Sequence, residues 1–135
     1  MNRLIMFLTA IVLFGIAGFA VIWINAAPSP EKTADVILTD LSAGRYRPVW
    51  DAATPAYRAR MPFERFRAVM ADFSLALGAY REIAESRPGP DVEGEVALVL
   101  DVVYENGHAD CDIVFLDVDG TPTLQSLHLR KAGGR

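Results

Sequence analysis

The chain has 135 residues, a formal net charge of −4 and 52% apolar residues, about one domain's worth on a prior of roughly 100–200 residues per domain. A single cysteine, Cys111, excludes an internal disulfide framework. Ten glycines, eight prolines and 22% charged residues exclude a collagenous or disordered chain.

The apolar residues are unevenly spread, which argues against a cytosolic single domain. Leu4 to Ile24 holds 18 apolar residues in 21, uncharged and interrupted only by Thr9, Gly15 and Gly18. At about 1.5 Å per residue such a helix reaches roughly 31 Å, enough to cross a hydrocarbon core of about 30 Å. The run exceeds the usual 7–15 residues of a signal peptide's apolar region, and no small-x-small cleavage site follows it, so a retained anchor is read over a cleaved leader. Arg3 on the amino side places the amino terminus in the cytoplasm, with Trp23 at the outer interface and the rest of the chain outside, the periplasm in a bacterium. Gly15 and Gly18 are three apart rather than four, a weak helix-pairing signal. The division is therefore an anchor over residues 1–25, a stiff linker over 26–30, a domain over 31–131 and a tail over 132–135.

Ser29-Pro30 reads as an N-cap followed by proline at the first helical position. Ala34, Ile37, Leu38 and Leu41 then recur on one helical face up to Gly44, a left-handed stop. From Arg45 to Arg60, Pro48 and Pro55 break the pattern, leaving one or two short helical turns. A longer helix opens at Pro62, carries Phe63, Phe66, Met70, Phe73 and Leu77 along one face, and stops at Gly78.

From Ala79 the period becomes that of strands. Tyr80 to Glu85 is predicted as a first strand, Glu95 to Tyr104 as a second, His108 to Val118 as a third and Thr123 to Leu129 as a fourth. Asn106-Gly107 is the strongest short hairpin signal and sits between the second and third. Short connections make neighbours antiparallel. The expected fold class is α+β: an N-terminal transmembrane helix, then about three helices packed on a curved antiparallel four-stranded sheet.

Charge is polarised. Six arginines face Asp51 and Glu64 between Arg45 and Arg67, whereas Asp91 to Asp119 contains nine carboxylates and no basic residue. Nucleic-acid binding is set aside, because the domain is acidic overall and its expected compartment is extracytoplasmic. The arginines are expected to partner carboxylates within the fold, to face anionic lipid, or, at Arg45, Arg47, Arg58 and Arg60, to form an interaction face for an oppositely charged protein.

No constellation for chemistry emerges. His108, Asp110 and Asp112 share a strand face but flank a hairpin tip, where polar residues are normally solvated, and no metal is assigned. Asp117-Val118-Asp119-Gly120 resembles part of a calcium loop but lacks its first and last ligands. Cys111, beside Ile113 and Phe115, reads as a small core residue rather than a nucleophile. Ser126 and His128 share a strand face without a catalytic context, and phosphate loops and nucleophile elbows are absent. No catalytic residue and no cofactor are assigned. If the face of His128, opposite Leu127 and Leu129, lines a cavity, then His128 with Tyr46, Tyr57 or Tyr80 would give a polar spot in an apolar pocket.

The exported part, from about Thr33 to Arg130, resembles the nuclear transport factor 2-like superfamily, the cystatin-like cone, in its bacterial membrane-anchored form. The resemblance rests on Leu41-Ser42-Ala43-Gly44-Arg45-Tyr46, Val49-Trp50, Arg60-Met61-Pro62-Phe63-Glu64-Arg65-Phe66, Leu77-Gly78-Ala79-Tyr80-Arg81-Glu82-Ile83, Tyr104-Glu105-Asn106-Gly107 and Leu124 to Leu129. Thr121-Pro122-Thr123 stands where similar domains often carry a tryptophan. The resemblance implies helices cupped by a sheet around a potential pocket, and no particular activity. The leading expectation is a non-enzymatic, membrane-anchored accessory module of an inner-membrane complex, or one that self-associates. A pocket for a small apolar ligand or lipid is second, and an enzyme third.

Overall fold

The structure is a computed structural model and describes residues 29–132. The anchor segment with Leu4, Trp23 and Ile24, most of the linker and the end of the tail lie outside the described residues. Among the described residues no helix is long and apolar enough to cross a membrane.

Helix α1 (Pro30–Ser42) begins where the Ser29 side chain accepts the Lys32 N–H at 3.2 Å, with proline in the first turn. It buries Ala34, Leu38 and Leu41. Two short helices follow, α2 (Tyr46–Asp51) and α3 (Pro55–Arg60). Among the described residues the helices therefore number four rather than about three, because each short piece closes a turn of its own, α3 with Thr54 as its cap. Helix α4 (Phe63–Leu77) places Phe66, Met70 and Leu77 in the core, with Phe73 packed beside them. It ends at Gly78, whose φ of 77° suits glycine.

The sheet is an open antiparallel meander whose spatial order equals its chain order: β1 (Tyr80–Pro88), β2 (Glu95–Tyr104), β3 (Gly107–Val118) and β4 (Thr121–Lys131). Alternation puts Leu98, Leu100, Val102 and Tyr104 of β2 and Ala109, Cys111, Ile113 and Phe115 of β3 on the helix side, all buried. Burying each large side chain contributes about 1.5–3 kcal/mol, so this two-strand face with α4 is the centre of stability.

Two expectations need correction. Strand β1 runs to Pro88 rather than Glu85, and register shifts at Tyr80/Glu82 and Ile83/Glu85 interrupt the alternation that would have marked its length. The β2–β3 turn is centred on Glu105-Asn106, with Tyr104 opposite Gly107, one residue earlier than the Asn-Gly signal implied. The end of α4 sets that register: Asn106 N–H donates to the Leu77 carbonyl at 2.9 Å and Glu105 N–H to the Ala79 carbonyl at 2.8 Å. Leu77 also packs within 3.1 Å of where a Gly107 Cβ would stand.

Candidate functional site

Strand β4 carries a bulge. Val114 pairs with Ser126 but Phe115 pairs with Leu124, so Gln125 is the extra residue. The offset allows both Leu124 and Leu127 to turn inward and be buried, while Ser126 and His128 stay on the other face. Helix α3 is fastened to the bulge at both ends. Thr54 N–H donates to the Leu124 carbonyl at 2.9 Å and the Thr54 hydroxyl to the Gln125 side chain. At the far end, Arg60 donates to the Gln125 carbonyl at 2.8 Å.

Beside this joint lies a pocket of about 240 Å³, lined by Tyr57, Arg60, Met61, Arg65, Ser126, Leu127 and His128. It is built from four elements: α3, the α3–α4 link, the first turns of α4, and β4. Its two guanidinium groups face no carboxylate within the lining. Tyr57 is 4% exposed, and its hydroxyl has no hydrogen-bond partner among the described residues. Burial pushes that hydroxyl's pKa up, and the positive charge of Arg60 opposes the rise.

Of Tyr46, Tyr57 and Tyr80, each a candidate to join His128, only Tyr57 lines this pocket with it. His128 and Tyr57 meet in this pocket, but His128 is on the outer, exposed side of the sheet and it is Leu127 that faces the helices. Tyr80 belongs to a separate cleft of about 520 Å³ with Asp35, Thr39, Ser42, Ala43 and Arg81. There its hydroxyl donates to Asp35 Oδ1 at 2.6 Å and its N–H to Ser42 Oγ at 2.9 Å, which fastens α1 to β1. Burial first, then that bond to Asp35, raises the Tyr80 pKa. Tyr46 packs against the core. Arg65, which the sequence reading did not single out, completes the pocket.

The arginines form two groups. Arg45 pairs with Asp40 at 2.8 Å, Arg47 with Asp51 at 3.4 Å and Arg67 with Glu64 at 3.1 Å, all local and exposed, so each contributes little to stability. Arg58, Arg60 and Arg65 make no ion pair among the described residues, and no pair joins the arginine-rich helices to the carboxylates of β2 and β3. Arg47 lies 4.6 Å over the Phe63 ring and 5.3 Å over Trp50, with Arg58 5.8 Å from Trp50. Trp50 and Phe63 meet edge-on at 5.6 Å.

His108 and Asp101 lie 3.3 Å apart at the hairpin tip, and Asp112 pairs with Arg130 at 3.0 Å. Among the described residues no group of three or more His, Cys, Asp or Glu is placed to hold a metal ion. Cys111 is fully buried, and burial pushes its thiol up to about 12, so it is not a thiolate nucleophile near neutral pH. No known family model matches the chain, and no curated protein matches it.

Proposed function

We propose that the chain is a non-enzymatic, membrane-anchored interaction module, held by Leu4 to Ile24 in the inner membrane with its nuclear transport factor 2-like domain in the periplasm. In this reading it acts as an accessory subunit of a membrane-protein complex. The observation that carries the reading is the stacked surface of Arg47, Trp50, Arg58 and Phe63. Guanidinium groups held over aromatic faces lose less freedom on binding than unsupported ones, and Trp and Arg dominate the energetics of protein interfaces. With Arg58, Arg60 and Arg65 making no ion pair among the described residues, the surface suits an acidic partner segment.

An apolar ligand inside the cone has less support, because Phe66 and Met70 are buried there and Trp50 and Phe73 pack against them. The test is gentle non-ionic detergent extraction of the full chain, followed by sizing and affinity capture. A complex larger than the monomer is expected, weakened by salt and lost in the Arg47→Glu/Arg58→Glu double variant. A lone monomer, or a complex indifferent to the double variant, overturns the proposal.

A further inference from the structure

The pocket between α3 and the β4 bulge shares Arg60 and Arg65 with the interaction surface and adds Tyr57, Ser126 and His128, which that surface does not use. Its polar lining consists of Arg60, Arg65, Ser126, His128 and Tyr57, with no carboxylate to neutralise the two guanidinium groups. Its apolar lining is Met61, Leu127 and the Tyr57 ring. Tyr57, in its wall, also keeps a hydroxyl buried with no partner among the described residues, an arrangement that costs about 1–3 kcal/mol if nothing compensates it. Arg60 lies 6.0 Å over the Tyr57 ring and is itself exposed.

We propose that this pocket is a binding site for a small organic carboxylate. The carboxylate sits between Arg60 and Arg65, accepts from Ser126 or His128, and supplies the acceptor that Tyr57 lacks. The short apolar body lies against Met61 and Leu127. Guanidinium donors match the planar, two-oxygen geometry of a carboxylate, and the apolar wall favours an organic acid over a fully hydrated inorganic ion. The volume of about 240 Å³ has room for a carboxylate and a short apolar body. Membrane attachment and partner binding are not premises of this proposal.

The test is calorimetric titration of the full chain in non-ionic detergent with butyrate, butyramide and inorganic phosphate. Butyrate is expected to bind, and its neutral amide and phosphate at least tenfold more weakly. Arg65→Ala should weaken butyrate about tenfold, the scale of one charge-assisted contact. Tyr57→Phe should weaken it several-fold while leaving the free protein as stable as the parent or more so, because an unpartnered hydroxyl is removed. Arg87→Ala, a charge loss on the distant edge strand β1, should leave binding unchanged. Equal binding of butyrate and butyramide, phosphate binding as tight as butyrate, or parental affinity in Arg65→Ala each overturns the proposal.

Discussion

The indole Nε1 of Trp50 donates to the Met61 carbonyl at 2.7 Å, tying α2 to the link between α3 and α4. The ring beneath the arginine cluster is thus held by its own polar edge as well as by Phe63. Trp50→Phe keeps an aromatic face but leaves a partly buried carbonyl without its donor. A loss of about 1–2 kcal/mol is expected in denaturant unfolding, with the slope of the transition unchanged.

Thr54 caps α3, accepting the Tyr57 N–H at 3.2 Å, and its hydroxyl also donates to Gln125. Thr54→Ala removes both contacts and is expected to cost about 2 kcal/mol, whereas Thr54→Ser should retain most of the stability. In a double-mutant cycle with Gln125→Ala the two positions should couple by at least about 0.5 kcal/mol.

Gly78 and Gly44 adopt similar positive φ values, 77° and 81°, but only Gly78 is crowded. A Cβ at Gly78 would stand 2.9 Å from Asn106 Nδ2 and 3.1 Å from Glu105 Cβ, whereas at Gly44 it meets nothing within 4 Å. Gly44→Ala is expected to cost about 1–2 kcal/mol from backbone strain alone. Gly78→Ala should cost measurably more in the same thermal or chemical unfolding experiment, because the hairpin tip must also move.

Cys111 gives a pH dependence of defined sign. Its thiol holds its proton in the folded state up to about 12 but loses it near the ordinary value of 9.0 when unfolded. Between those values the unfolded chain binds fewer protons, so stability falls as pH rises, by at most about 1.4 kcal/mol per pH unit. The buried tyrosines Tyr57 and Tyr104, also raised by burial, add to the fall at the upper end. Cys111→Ala should reduce the slope most midway between the two values, at about pH 10–11. In the native protein the thiol should resist alkylation at pH 8 and react after denaturation.

Elements with strong periodicity were legible. The Ala34-Leu38-Leu41 stripe, the Phe66-to-Leu77 face and the alternation of β2 and β3 all match the observed burial. What escaped depends on contacts distant in sequence. The hairpin register follows from carbonyls of Leu77 and Ala79, which outweigh the local preference of Asn-Gly. The bulge at Gln125 is fixed by Thr54, 71 residues away. Arg65 carries no periodic signal that links it to Tyr57 or His128, because Pro62 separates α3 from α4 and only tertiary folding brings β4 alongside. Alternation set His128 opposite Leu127 and Leu129, but that Tyr57 joins it and that Tyr46 and Tyr80 do not follows only from the helix placements.

Strand β4 supplies the Leu124 carbonyl to Thr54 and the buried Leu124 and Leu127, and it is the last of the described elements. During synthesis the helices therefore emerge with their apolar faces complete long before their final covering strand exists. A nascent chain paused at Val118 would leave α3 without the Leu124 and Gln125 contacts that hold both its ends. Folding of the domain thus waits on the emergence of β4 itself. A nonsense mutation in that stretch would be expected to forfeit the whole domain rather than trim its edge.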